Sequence, residues 1–180
     1  MNCIFNTYND LSPNGISSAL KQANTQQKTP IFVCIGSDLV LGDSLGPLVG
    51  TLLRKKNILP FVYGTLNYPI TAKEVQYAKN YVKLMHKNST IIAIDAAVGS
   101  SQDVGQIKVI DKGIKPGLGV KKDLEEIGDV SIIGIVSSKS ENNYNLYNLT
   151  RLNLIYKMAE RIAEGIESYI KNVFSNQKVI

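Results

Sequence analysis

Tryptophan is absent from this 180-residue chain, histidine occurs once and cysteine twice. A single histidine, His86, disfavours a His-rich zinc centre and a triad that depends on an imidazole base. Two cysteines make no disulfide framework, because Cys34 lies in a buried-strand pattern and Cys3 near the chain start; a reducing compartment fits. No apolar run approaches the length of a membrane span, and the start Met1-Asn-Cys-Ile-Phe-Asn-Thr lacks the basic and apolar regions of a signal peptide. A soluble, cytoplasmic protein is expected, with no membrane partner. The net charge of +5 is not gathered into a patch: Lys121-Lys122 is followed at once by Asp123, Glu125 and Glu126. The nine tyrosines are scattered without basic residues between them, so no nucleic-acid partner is expected.

What is present is one conspicuous stretch. Residues Ile31 to Ile35 form an apolar run suited to a strand buried on both faces. A Gly-punctuated loop, Gly36 to Gly42, leads to Asp43-Ser44. An apolar helical pattern follows, with Pro47 where a first turn tolerates it. Strand, loop and helix start is where α/β proteins place their chemistry. A phosphate loop would offer amides and a lysine to an anion; this loop offers a carboxylate.

Further strands are expected over 58–66, 90–95, 106–110 (possible as an edge strand) and 129–136, with helices over 71–87 and 149–173. Thr71-Ala-Lys-Glu74 reads as a capping box. The closing helix carries an apolar stripe through Ile155, Met158, Ile162, Ile166 and Ile170. Residues 115–119 and 137–148 read as loops. Residues 1–29 read as a polar N-terminal extension with a short helix, packed on the outside; residues 30–175 read as a single α/β/α domain. The fold class is a three-layer α/β/α sandwich with a mostly parallel sheet.

In doubly wound sheets the first strand lies between the second and the third, and the crevice between first and third binds ligands. Asp43 leaves the first strand and Asp95 ends the third, so two carboxylates are expected to converge on one rim. Such a pair shares a proton: one pKa falls and the other rises. It can activate water and protonate a substrate, or it can hold a metal through oxygen ligands. The plainer alternatives are that Asp43 caps its helix and that Asp95 caps the turn after its strand. Asp38 is a turn residue or a third carboxylate at the rim. Ser44 has no histidine partner. His86 is expected at a helix end on the opposite rim.

Several motifs resemble the spore proteases of the YyaC type: Ile35-Gly-Ser-Asp38, Gly42-Asp-Ser-Leu-Gly-Pro47, Tyr63-Gly-Thr-Leu66, Ile94-Asp-Ala96, Gly113-Ile-Lys-Pro-Gly-Leu-Gly-Val120, Gly128-Asp-Val-Ser-Ile-Ile-Gly-Ile135 and Asn148-Leu-Thr-Arg-Leu-Asn-Leu154. Together they span about residues 30 to 165. The family is similar in fold to the germination protease and to the hydrogenase-maturation endopeptidases, a phosphorylase/hydrolase-like architecture. The resemblance implies a sporulation-associated peptidase of atypical aspartic type. Asp43 and Asp95 would be catalytic, and Gly36, Ser37, Asp38, Ser44 and Thr65 would contact substrate. Small acid-soluble spore proteins are the implied substrate class and the developing spore the implied location. The maturation endopeptidases also use a histidine around nickel held by their substrate. This chain has no histidine near the matching position just before its last helix, so no metal cofactor is expected. A peptide-binding protein without catalysis and a metal-assisted endopeptidase are the alternatives.

Overall fold

Strand β2 (Pro30–Cys34) is buried along its whole length, as an unbroken apolar run requires of a central parallel strand. In the computed structural model, which describes residues 1–56, 61–116, 125–138 and 150–174, it is one of six strands. The others are β1 (Asn2–Asn6), β3 (Val62–Tyr63), β4 (Thr90–Gly99), β5 (Gln106–Ile110) and β6 (Val130–Ser138). Their order across the sheet is β1-β5-β6-β4-β2-β3. The pairs β3–β2, β2–β4 and β4–β6 are parallel; β6–β5 and β5–β1 are antiparallel. The sheet is thus mostly parallel, and β2 lies between its two successors in the chain, which puts the switch point between β2 and β4.

Helices α1 (Ser12–Ala23), α2 (Leu45–Lys55) and α4 (Leu152–Phe174) cover one face, where Ile16, Leu20, Phe32, Leu45, Ile94, Ile132, Met158 and Ile162 form the larger core. Helix α3 (Val75–Met85) covers the other, over Ile31, Val33, Ile70, Ile91, Ala93 and Ile127. Alternate residues of β2 and β4 divide between the two cores, as the two-residue period of a strand demands.

Four expectations change. Residues 1–29 are not an outer accessory: β1 closes an edge of the sheet beside β5, and Ile16 and Leu20 of α1 are fully buried against the rest of the core. Asn24 then ties this segment inward, donating to Tyr169 Oη at 2.8 Å and accepting from Thr90 Oγ1 at 2.9 Å. β5 is consequently an interior strand. The strand expected over 58–66 is two residues long where described, with 57–60 outside the described residues. Helix α3 begins at Val75, after a turn; Glu74 accepts from the Thr71 N–H at 3.0 Å, so half of the capping box forms one turn early. Most of the loops expected over 115–119 and 137–148 lies outside the described residues; Ser137 and Ser138 extend β6.

Candidate active site

The chain leaves β2 at Cys34 and turns sharply. Ile35 N–H still reaches the Ile94 carbonyl at 2.8 Å, and Gly36 N–H donates to the Ile70 carbonyl at 2.9 Å. Gly36 has φ +137°, and a Cβ there would lie 2.0 Å from the Asp43 carbonyl oxygen. Only glycine allows the loop to close on itself this tightly. Ser37 N–H closes the loop by donating to the Asp43 carbonyl at 3.1 Å. A short 3-10 turn, Leu41–Ser44, then delivers Asp43 to the rim and runs into α2.

Asp95 reaches the same place from β4. It is not at the strand end, as the sequence suggested: β4 runs on to Gly99, paired with β6 through a register shift after Ala97. The departure of β2 accounts for its setting. Ile94 pairs towards β2 and Asp95 towards Ile133 of β6, so Ala96 again faces the β2 side, where β2 has already ended. The Ala96 N–H left over is accepted by Asp95 Oδ1 at 2.8 Å. Asp95 is 8% exposed.

Neither carboxylate caps a helix: no side-chain hydrogen bond caps the 3-10 turn or α2. Burial pushes the Asp43 carboxyl up to about 6, against the backbone amide of Ser37, which favours its charged form. Asp95 is held well above the carboxylate range, first by burial and second by the charge of Asp43; the Ala96 N–H opposes both. The order of titration follows. Asp43 loses its proton first, while Asp95 is neutral and does not repel it. The charge on Asp43 then keeps Asp95 protonated.

The other expected site residues occupy different positions. Ser37 is half-buried and its Oγ accepts from Leu39 N–H at 3.2 Å, while Asp38 is exposed on the loop. Ser44 is buried and donates to the Leu41 carbonyl at 2.7 Å, so it holds the turn. Thr65 is buried on the loop after β3, where its Oγ1 accepts from Tyr68 N–H at 3.2 Å. It lines a separate cleft with Thr51, Arg54, Lys55, Asn67 and Tyr68. Sequence reasoning missed those cationic neighbours, since Arg54 and Lys55 look like ordinary helix-end charges.

His86 ends α3, at the opposite end of the sheet from the carboxylates. Its Nε2 is 2.8 Å from Tyr63 Oη and its ring packs edge-on to Phe61. Among the described residues no three His, Cys, Asp or Glu side chains come together as a metal-binding group. No helix among them is long and apolar enough to cross a membrane.

Residues 5–165 match the family described as "Protein of unknown function (DUF1256)". The chain belongs to this family. It is 43% identical over 152 residues to the uncharacterized protein YyaC of Bacillus subtilis (strain 168), covering 84% of this chain and 73% of that protein. The fold is similar to the [NiFe] hydrogenase maturation protease HycI from Thermococcus kodakarensis KOD1, with a TM-score of 0.57 at 20% identity, over 85% of this chain and 99% of that one. At that identity the likeness concerns the fold: this DUF1256 chain has the α/β architecture of a maturation protease.

Proposed function

We propose that the protein is a peptidase in which Asp43 and Asp95 divide the acid–base work. The observation that carries this reading is a pair of carboxylates at the switch point of a protease-like fold, Asp95 buried and close enough to Asp43 to feel its charge. Asp43 is pushed up to about 6 and Asp95 is raised further, so Asp43 is the first of the two to ionise and Asp95 the one that keeps its proton longer. Asp43 takes a proton from water as the water oxygen attacks the scissile carbonyl, and Asp95 gives its proton to the carbonyl oxygen. On collapse, Asp43 passes the proton it gained to the leaving nitrogen, and Asp95 recovers its own from the hydroxyl. This assigns the base to Asp43 because it is the one that titrates below neutrality.

The sporulation context and a small acid-soluble spore protein as substrate come from the resemblance of the sequence motifs to the spore proteases; the YyaC relative is itself uncharacterized. A nickel-centred route like that of the maturation proteases lacks its histidine: the chain's one imidazole faces Tyr63 and Phe61. The test is cleavage of small acid-soluble spore proteins and of unfolded basic proteins, comparing wild type with Asp43→Asn and Asp95→Asn. Both variants should lose about 10²–10⁴-fold in kcat/KM. Equal turnover by all three removes the mechanism.

A further inference from the structure

Thr65 lines a cleft of about 300 Å³ between α2 and the loop after β3. Six residues line it: Thr51, Arg54, Lys55, Thr65, Asn67 and Tyr68. None is acidic. Arg54 donates through Nη2 to the Val62 carbonyl at 2.8 Å, which fixes the guanidinium at the sheet edge and leaves its other N–H groups available. Lys55 has no ion-pair or hydrogen-bond partner among the described residues. Thr51 accepts from Leu66 N–H at 3.0 Å and donates to the Pro47 carbonyl at 2.8 Å, so the floor is held rigidly between helix and loop.

We infer that this cleft is a subsite for a carboxylate of the peptide substrate, bound by Arg54 and Lys55. The inference rests on the peptidase reading for its placement. Helix α2 begins directly after Asp43, so at ~1.5 Å per residue its third turn lies roughly 12–16 Å from the pair. An extended peptide advances ~3.3 Å per residue, which puts the recognised carboxylate roughly four or five residues from the scissile bond. Arg54 also closes the outward carbonyl of β3, so the substrate is not received as an added strand at that edge. The carboxylate belongs to a Glu or Asp side chain or to the free C-terminus of the peptide.

The probes are internally quenched, C-terminally amidated 12-residue peptides that carry one Glu moved along an otherwise uncharged sequence. Gln counterparts and free-acid versions accompany them. With full-length wild type, Glu four or five residues from the cut should lower KM about fivefold relative to Gln, the size expected of an exposed ion pair. A preference for the free-acid peptides without Glu assigns the cleft to the terminal carboxylate instead of a side chain. In either case Lys55→Gln and Arg54→Gln should collapse the preference. Arg54→Gln also uncaps Val62, so its thermal midpoint is measured alongside, and Lys55→Gln decides if the fold is weakened. Equal KM for Glu, Gln and free-acid peptides overturns the subsite while leaving the peptidase intact. Anisotropy with the same peptides separates the two ideas in the other direction: carboxylate-dependent binding lost in Lys55→Gln, with no peptide cut, keeps the subsite and removes the peptidase.

Discussion

Asp95 is kept neutral by its place in the sheet, and that neutrality has a cost which two measurements can read. The folded state binds a proton on Asp95 that the unfolded chain releases near pH 4. Between that value and its raised folded pKa, the folded state holds more protons, so stability falls as pH rises. Asp95→Asn removes the penalty. The variant should be more stable than wild type at pH 7 in urea unfolding, and the gain should shrink towards pH 4. An Asn that destabilises equally at both pH values would show that the carboxyl is not held neutral. Activity runs the other way. Asp43 must be ionised to act as base, so kcat/KM should rise with pH through about 6 and fall again at higher pH as Asp95 loses its proton. Sequence reading had the two aspartates and their convergence, because the position of β2 between β3 and β4 is a topological regularity. It expected one pKa to fall as the other rose; both are raised, because burial acts on each carboxyl and only Asp95 also feels its neighbour's charge.

At the scale of elements, the site rests on the close approach of α2 to the end of β2. Gly46 and Gly50 lie one turn apart on the same side of α2. A Cβ at Gly46 would be 2.1 Å from the Ile35 carbonyl oxygen, and one at Gly50 would be 1.9 Å from that of Gly64. Helix propensity favours Gly→Ala by up to about 1 kcal/mol. Here the obstacle is backbone on both sides, so α2 must move outward, and repacking of that kind costs about 1–3 kcal/mol. Gly50→Ala should therefore lower Tm despite its propensity gain, with the shift read by calorimetry. Gly36→Ala meets both a backbone clash and a positive φ, and it should lose activity through displacement of Asp43 as well as stability. The pattern of apolar residues located α2, α4 and the central strands, because burial imposes periods of 3.6 and 2 that survive in sequence. It extended β3 too far and stopped β4 too early. Three of the four residues from Ala96 to Gly99 are alanine or glycine, and the strand character of this stretch comes from pairing with β6.

Across the whole molecule, the N-terminal segment is part of the structure that supports the site. Asn24 lies between α4 and β4 through Tyr169 and Thr90, and it also donates to the Lys28 carbonyl at 2.6 Å. Asn24→Ala leaves these buried groups short of partners and should cost about 1–3 kcal/mol. Removing residues 1–28 strips β1 from β5 and uncovers the side of α4 that packs on Ile16 and Leu20. Each of those side chains contributes about 1.5–3 kcal/mol by burial. The shortened chain should unfold at a far lower urea concentration or aggregate; a two-state melt close to that of the full chain would return residues 1–29 to the role of an accessory.

The sequence alone determined the α/β class, the strand–loop–helix that carries Asp43, its pairing with Asp95 and the absence of any histidine to join them. Those properties are local, or follow from chain order and handedness. Tertiary structure decided three others. It made β1 and α1 integral, because a polar, Asn-rich stretch does not reveal that its few apolar residues meet α4. It placed Arg54 and Lys55 beside Thr65, since that contact joins a helix to a loop from the next strand. It also set Asp95 in mid-strand beside the gap left by β2, where burial and the charge of Asp43 act together. The stretch from Ile31 to Leu53 supplies one carboxylate; the ending of β2 one residue short of Ile35 is what leaves room for the other.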